Sequence, residues 1–344
     1  MQLHVETADP LRVLETTLPV VLTARQVQID LEAAALVAGQ IAGLAQDVPP
    51  WGDDLHLHDG TWRTAGWVLA LDALNFCFWS ESTDPDDRWK VEYGGQVYDG
   101  YWALVAALRR AIDEGVPLWD PLTLANLTAA GVARILRPAD AATPAIPLME
   151  ARLHNLNDLG RGLLTFAAVR GVAGGGVHPV EIFLACANRS VASLVEQLVE
   201  WVPSFNDVAA YRGNEVRFYK RAQILTADLH GAFGGEGLGA FDDLPTLTAF
   251  ADYKVPQVLR RLGVLTYTED LAGRIDARTL IPAGSEEEIE IRSATIWACE
   301  LLRQHLAELG IPMTAVQIDW ALWQSGQTAT AEVRPYHRTL TWFY

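Results

Sequence analysis

The stretch from Phe218 to Leu265 decides the architecture: FYKRAQILTADLH (218–230), a glycine-rich GAFGGEGLGAFDDLPTL (231–247) and TAFADYKVPQVLRRLGVL (248–265). It reads as two helices joined by a flexible link. In the first, Ile224, Leu225 and Ala227 supply an apolar face, and Lys220, Arg221 and Asp228 stand on or beside it. In the second, Pro256 suits a first helical turn, because proline lacks the N–H that a first turn leaves unbonded. Val258, Leu259 and Leu262 continue the apolar stripe, Arg260 and Arg261 lie off it, and Gly263 is a stop signal. Asp252 therefore falls just ahead of a helix amino terminus. Lys220 and Asp252 carry charges that their apolar neighbours do not explain, and they are the first candidates for chemistry.

Upstream, IDLEAAALVAGQIAGLA belongs to an opening helical layer. His56 and His58, two apart beside a run of tryptophans, lack a third ligand at matching spacing and read as a hydrogen-bonding pair in a polar turn. In LDALNFCFW (71–79), Asp72, Asn75 and Trp79 fall on one side of a helix at spacings of three and four. Core packing accounts for the aromatics. The alternative is a pocket in which Phe78 and Trp79 stack on a heterocycle while Asp72 and Asn75 read its edge. WKVEYGGQVYDGYW predicts a β-hairpin on a Gly-Gly turn, followed by an amphipathic helix ending at Gly115.

Beyond it, GVAGGG lacks the Lys-Ser/Thr of a phosphate-binding loop and reads as a plain turn. Another helix closes at Pro203. GSEEEIEIRSATIWACELLRQHLAELG opens with a capping box, Ser285 with Glu288, and ends at Gly310; its acidic first turn complements the helix dipole and needs no catalytic explanation. The last segment alternates like a strand, where His337 and Arg338 either offer cations to a phosphate or edge a sheet.

The 344 residues are half hydrophobic, enough for a substantial core, and carry a formal net charge of −17. That charge opposes a phosphodiester polymer, so DNA is an unexpected partner, whereas a few local cations still admit a small anion. Cys77, Cys186 and Cys299 lie far apart in apolar surroundings, without the spacing of a zinc site, and read as reduced core thiols. The first residues lack a basic start followed by an apolar run, and no stretch reaches the ~20 apolar residues that span a bilayer. A cytoplasmic protein with no membrane association and no evident protein partner is expected.

Two resemblances rest on these residues. Asp252 to Gly263, DYKVPQVLRRLG, resembles the segment of helix-hairpin-helix DNA glycosylases in which a catalytic aspartate precedes a helix ending in Arg-Leu-Gly. Nearly the whole chain is similar to the queuosine salvage protein family, the queuosine 5′-phosphate N-glycosidases. Six ordered blocks carry that likeness: LDALNFCFW, VEYGGQVYDGYWALVAALRRAIDEGVPLWDP, FYKRAQILTADL, FADYKVPQVLRRLGVL, GSEEEIEIRSATIWACE and HRT (337–339).

The resemblance implies a mainly α fold with small antiparallel β elements, like a helix-hairpin-helix DNA glycosylase. It implies one compact unit over 1–344, with 1–150 contributing a base pocket and 151–344 carrying the glycosylase-like portion. The link GGEGLGAFDD is acidic and lacks the LPGVG pattern of the DNA enzymes. The implied activity is hydrolysis of queuosine 5′-phosphate to queuine and ribose 5-phosphate, with no metal or organic cofactor demanded.

Breaking a C1′–N bond builds positive charge on the sugar. A carboxylate ~4 Å away at an effective dielectric of ~20 is worth about 4 kcal/mol, close to a thousandfold in rate. Asp252 would supply that charge or activate the attacking water, and a helix amino terminus is expected to keep it ionised; merely capping that helix is the rival role. Lys220 would anchor the 5′-phosphate, with Arg221 and Lys254 as auxiliaries. Asp228 would accept a ribose or base hydrogen bond or pair with Lys220, and Tyr253 adjoins the same site. A non-catalytic nucleotide- or RNA-binding helical module is the competing class.

Overall fold

The computed structural model describes residues 8–41, 55–80, 82, 84, 87–171, 176–327 and 334–344. The chain start through residue 7, read above for a leader, and positions 172–175 of the GVAGGG turn lie outside the described residues. Helix α1 (Val13–Thr23), strand β1 (Val27–Ile29) and α2 (Leu31–Ile41) lead to α3 (Trp62–Ala73). The hairpin β2 (Lys90–Tyr93) and β3 (Gln96–Asp99) runs into α4 (Gly100–Asp113). Then come α5 (Pro121–Ala125), α6 (Ala129–Ile135), α7 (Met149–Val169), α8 (Pro179–Cys186) and α9 (Val191–Trp201). A second hairpin, β4 (Val208–Tyr211) and β5 (Asn214–Arg217), precedes α10 (Lys220–Ala232) and α11 (Lys254–Arg261). Strand β6 (Leu265–Tyr267), α12 (Glu269–Asp276), α13 (Glu286–Glu308) and α14 (Ala315–Gln327) follow. The fold is mainly helical, and each sheet among the described residues is a two-stranded antiparallel pair: β1–β6, β2–β3 and β4–β5.

The first hairpin turns on Gly94 and Gly95, both at positive φ (59° and 78°), which glycine adopts without a Cβ clash. Sequence reading passed over the second because Arg212 holds the first positive-φ position of its Arg212-Gly213 turn. It also missed β1 and β6, three residues each and centred on Gln28↔Thr266, 238 positions apart, too short to show alternation. Two expectations need correction. The chain leaves α3 at Ala73, so Asn75 and Trp79 lie on an irregular segment, with Cys77 at φ 43°, and not on a continued helical face. The terminal segment forms one bridge, Leu280 to Arg338, and not a strand.

Two apolar cores organise the molecule. The larger joins α3, α4 and α7 to α10; the smaller joins α2, α11, α12 and α14. Helix α13 belongs to both, sending Ile289, Ile296 and Trp297 into the first and Ile291, Ala298 and Leu302 into the second. Buried on almost every side, it cannot show a clean amphipathic stripe. The seam between the cores, where α10 faces α11 and α14, holds the site. No described helix is long and apolar enough to cross a membrane.

Candidate active site

A cleft of about 1100 Å³, open mouth included, lies along that seam. Lys220, Asp228, Asp252 and Asp319 supply its charged inner wall, and Phe78, Trp79 and Tyr253 are among its aromatic lining. Aromatic faces with a few convergent polar groups are the usual make-up of a small-molecule site.

Asp252 caps α11 from one residue outside it. Its Oδ1 accepts the N–H groups of Lys254 and Val255, each at 2.9 Å. Pro256 thus sits in the first turn, and Gly263 (φ 76°) ends the helix, with Val264 N–H returning to Leu259 O at 2.9 Å. No described residue donates to the second oxygen, Oδ2, and Asp252 stays partly exposed on the cleft wall. The backbone behind it is tightly held. Asp252 N–H bonds Phe250 O at 2.7 Å, Phe250 N–H bonds Asp319 Oδ1 at 2.8 Å, and Arg292 Nε bonds Ala251 O at 3.1 Å. Burial pushes the Asp252 carboxyl up; the Lys220 ammonium first, then the two N–H groups, pull it back. The helix end therefore does not act alone in favouring the charged form, as the sequence suggested; Lys220 acts with it.

Lys220 opens α10 after Tyr219 at φ 49°. Its N–H bonds Asp207 Oδ2 (3.1 Å) and its Nζ bonds Asn75 O (3.1 Å). Burial lowers its pKa against the opposing pull of Asp252, then Asp72, with Asp319 farther down the order. Asp207 also forms a two-pronged ion pair with Arg292, at 2.9 and 2.5 Å, with both partners buried. One buried pair thus secures the starts of both functional elements: Asp207 holds the amino end of α10, and Arg292 holds the carbonyl before Asp252.

The aromatic wall is held by arginines. Arg152 donates to Leu74 O, Phe76 O and Cys77 O at 2.8–2.9 Å, and its guanidinium lies 4.2 Å from the Phe76 ring centre. Arg221 donates to Ala73 O at 2.8 Å and to Ser204 O, so it braces the end of α3 and does not line the cleft. Asp72 is wholly buried behind the wall, accepting from Asn75 Nδ2 at 3.1 Å, so Asn75 and not Asp72 reaches the cleft.

At another part of the wall Arg88 meets Asp99 at 3.3 Å, and the charges of Arg88 and Asp99 both act on Lys254. Tyr101, Trp102, Trp320 and Trp323 line the same cleft, with Tyr101 and Trp323 edge to face at 6.3 Å. Sequence reading missed Arg88, Asp99, Asp319 and these four aromatics. For Asp319, Trp320 and Trp323 the signal was IDWALWQSG, where they recur at helical spacing. His337 and Arg338 do not line the cleft. His337 is buried with Nε2 3.2 Å from the Tyr344 hydroxyl, and Arg338 donates to Ser82 O at 2.7 Å and lies over Trp79. His56 Nε2 sits 3.0 Å from Tyr101 Oη, so it hydrogen-bonds as expected, but its ring is buried edge-on to Trp67 and Trp102 and not in a polar turn. Among the described residues no three His, Cys, Asp or Glu side chains cluster as metal ligands.

Comparison with known proteins fits this geometry. The family profile described as queuosine salvage protein matches residues 55–344. A Sphaerobacter thermophilus protein named queuosine 5′-phosphate N-glycosylase/hydrolase is 49% identical over 336 residues, covering 98% of each chain. Proteins of the same name from Mus musculus and Schizosaccharomyces pombe are 35% and 34% identical, over 97% and 91% of this chain and 99% and 90% of theirs. With a matching profile over most of its length and relatives above 30% identity along nearly the whole chain, this chain belongs to the queuosine salvage protein family.

Proposed function

We propose that the protein hydrolyses the N-glycosidic bond of queuosine 5′-phosphate, releasing queuine and ribose 5-phosphate, the activity its relatives' names state. One observation carries the reading: Asp252 commits one oxygen to the α11 amino end, keeps the other without a donor among the described residues, and lines an aromatic cleft, with a buried ammonium as its counter-charge. As the C1′–N bond stretches, the sugar becomes cationic, and Asp252 stabilises that charge or takes a proton from the attacking water. Its lost hydration is replaced by fixed N–H groups, so no dipoles need to reorganise during the step.

Lys220 was the expected phosphate anchor. Carboxylates crowd its ammonium, which disfavours a dianion there, and we assign it to holding Asp252 charged. Arg88 and Lys254, which repel one another across the cleft wall, are the better partners for the 5′-phosphate. Tyr253, Asn75, Phe78 and Trp79 would frame sugar and base. Contributions from Asn75–Trp79, Arg88 and Tyr101 support the view that 1–150 builds much of the base pocket. The link between α10 and α11, with Asp252 ahead of a helix ending in Arg-Leu-Gly, supports kinship with helix-hairpin-helix glycosylases. The net charge of −17 supports a mononucleotide over a nucleic acid as partner.

The test is a mass-spectrometric screen for free base released from a panel of nucleosides and their 5′-phosphates. Queuine is expected from queuosine 5′-phosphate, and more slowly from queuosine. Tight nucleotide binding without free base would favour the non-catalytic binding module instead.

A further inference from the structure

Asp228 lines the cleft, and Asp72 stands behind it with no exposed surface. Asp72 Oδ1 accepts from Asn75, whereas its Oδ2 is shielded from solvent and meets no hydrogen-bond donor among the described residues. Asp72 stands on α3 and Asp228 on α10, two helices packed on one another, and the two carboxyls act on each other's titration as a pair in side-chain hydrogen-bond contact. Two carboxylates offer acceptors only, so this contact is attractive when one of them keeps its proton. The surroundings favour that state. Burial raises both groups and Asp72 raises Asp228 further, while Asn75, then Lys220 and Arg221 of α10, and the hydrogen bond from Asp228 pull Asp72 down, and Lys220 pulls on Asp228. Lys220 is itself shared with Asp252 ahead of α11 and Asp319 of α14, so its single charge cannot neutralise both members of the pair.

We propose that Asp72 and Asp228 hold one proton between them, which Asp228 presents to the bound base, first as a hydrogen-bond donor and then as the acid that protonates the base as it leaves. This rests on the hydrolase reading above. In the step, the C1′–N bond breaks with both electrons going to the base, and the proton passes from Asp228 to a nitrogen of that base. Water oxygen bonds to C1′ and its proton goes to Asp252. Lys220, within reach of both carboxyl groups, stabilises the negative charge that moves from one to the other. Proton return from Asp252 through solvent restores the pair, so atoms and charge balance over the cycle. A positioned acid of this kind contributes about 10²–10⁴-fold.

The experiment has two arms on the full chain. Infrared difference spectra of the substrate-free protein, wild type minus Asp72→Asn and wild type minus Asp228→Asn, are taken from about pH 5 to about pH 9. Both should show the loss of a buried carboxylic-acid band at neutral pH; the same band surviving in both variants overturns the shared proton. In the second arm, kcat should fall about a hundredfold in each variant and KM change less than about threefold. The alkaline fall of wild-type kcat should vanish as well. An unchanged kcat and alkaline limb in Asp228→Asn overturns the acid role. Melting curves verify folding, and if one variant does not fold the other decides. Because the infrared arm needs no substrate, failure of the wild type to release base would sink the hydrolase reading and the acid role while leaving the shared proton standing.

Discussion

The amino ends of α11 and α13 are built from the same chemistry and put to different use. At α13, Ser285 Oγ accepts Glu288 N–H at 3.3 Å, and Glu288 reaches back to Gly284 N–H at 2.9 Å. Glu286 bonds Arg212 at 2.8 Å and Glu287 bonds Arg274 at 2.9 Å. Every acid of that first turn has a partner. At α11 one cleft-lining aspartate does the capping with a single oxygen, and no described residue donates to the other. Spare bonding capacity and a place on a cavity wall are what single out Asp252 for the chemistry we propose; residue type alone does not distinguish the two ends.

The sharpest break of this comparison is Asp252→Asn, which keeps a carbonyl oxygen for the cap and removes only the charge. Base release should fall about a thousandfold with little change in melting temperature. Single-turnover release together with calorimetry checks both halves; a variant at wild-type rate would make Asp252 another Ser285. Next in size, Lys254→Ala and Arg88→Ala should each reduce the preference for nucleotide over nucleoside by about tenfold or more, read as the ratio of kcat/KM values. Lys220→Ala should instead lower kcat on both substrates. If only Lys220→Ala abolishes the nucleotide preference, the phosphate assignment returns to Lys220.

A third prediction contrasts the cleft with the buried carboxy-terminal contact. Burial, and then Arg292, depress His337 to about 3. Its unfolded form takes a proton near pH ~6.5 while the folded form does not, so its contribution to stability is full above that pH and is lost as pH falls toward 3. The raised carboxyls Asp72, Asp228 and Asp319 act in the opposite direction, losing their contribution as pH rises. Comparing wild type with His337→Gln isolates the histidine. Relative to that variant, wild type should lose about 1.4 kcal/mol per pH unit below ~6.5, measured by denaturant melts. Smallest of all, Ser285→Ala should cost roughly 1 kcal/mol of stability and leave base release unchanged.

Much of this was legible from residues whose neighbours in sequence are also their neighbours in space. The Gly-Gly hairpin, the Ser285 cap and the helix from Lys254 to Gly263 each depend on contacts a few positions apart. Lys220, Asp228 and Asp252 drew notice because they interrupt or abut apolar stripes, and they line one cleft. Asp319 and Arg292 could not be read in the same way. Their meaning lies in bonds to Phe250 and Ala251, 69 and 41 positions away. The Asn75–Trp79 segment misled because its spacing fits a helix, whereas Arg152 bonds its carbonyls and holds it irregular.

The Asp207–Arg292 pair has a mechanical consequence. Separating α10 from the strand of chain that carries Asp252 would break this buried pair, and a charge left there without its partner costs about 3–5 kcal/mol. That end of the chamber is therefore held firmly, like an anvil, whereas Arg88 and Asp99, paired at 3.3 Å beside the first hairpin, keep partial contact with water.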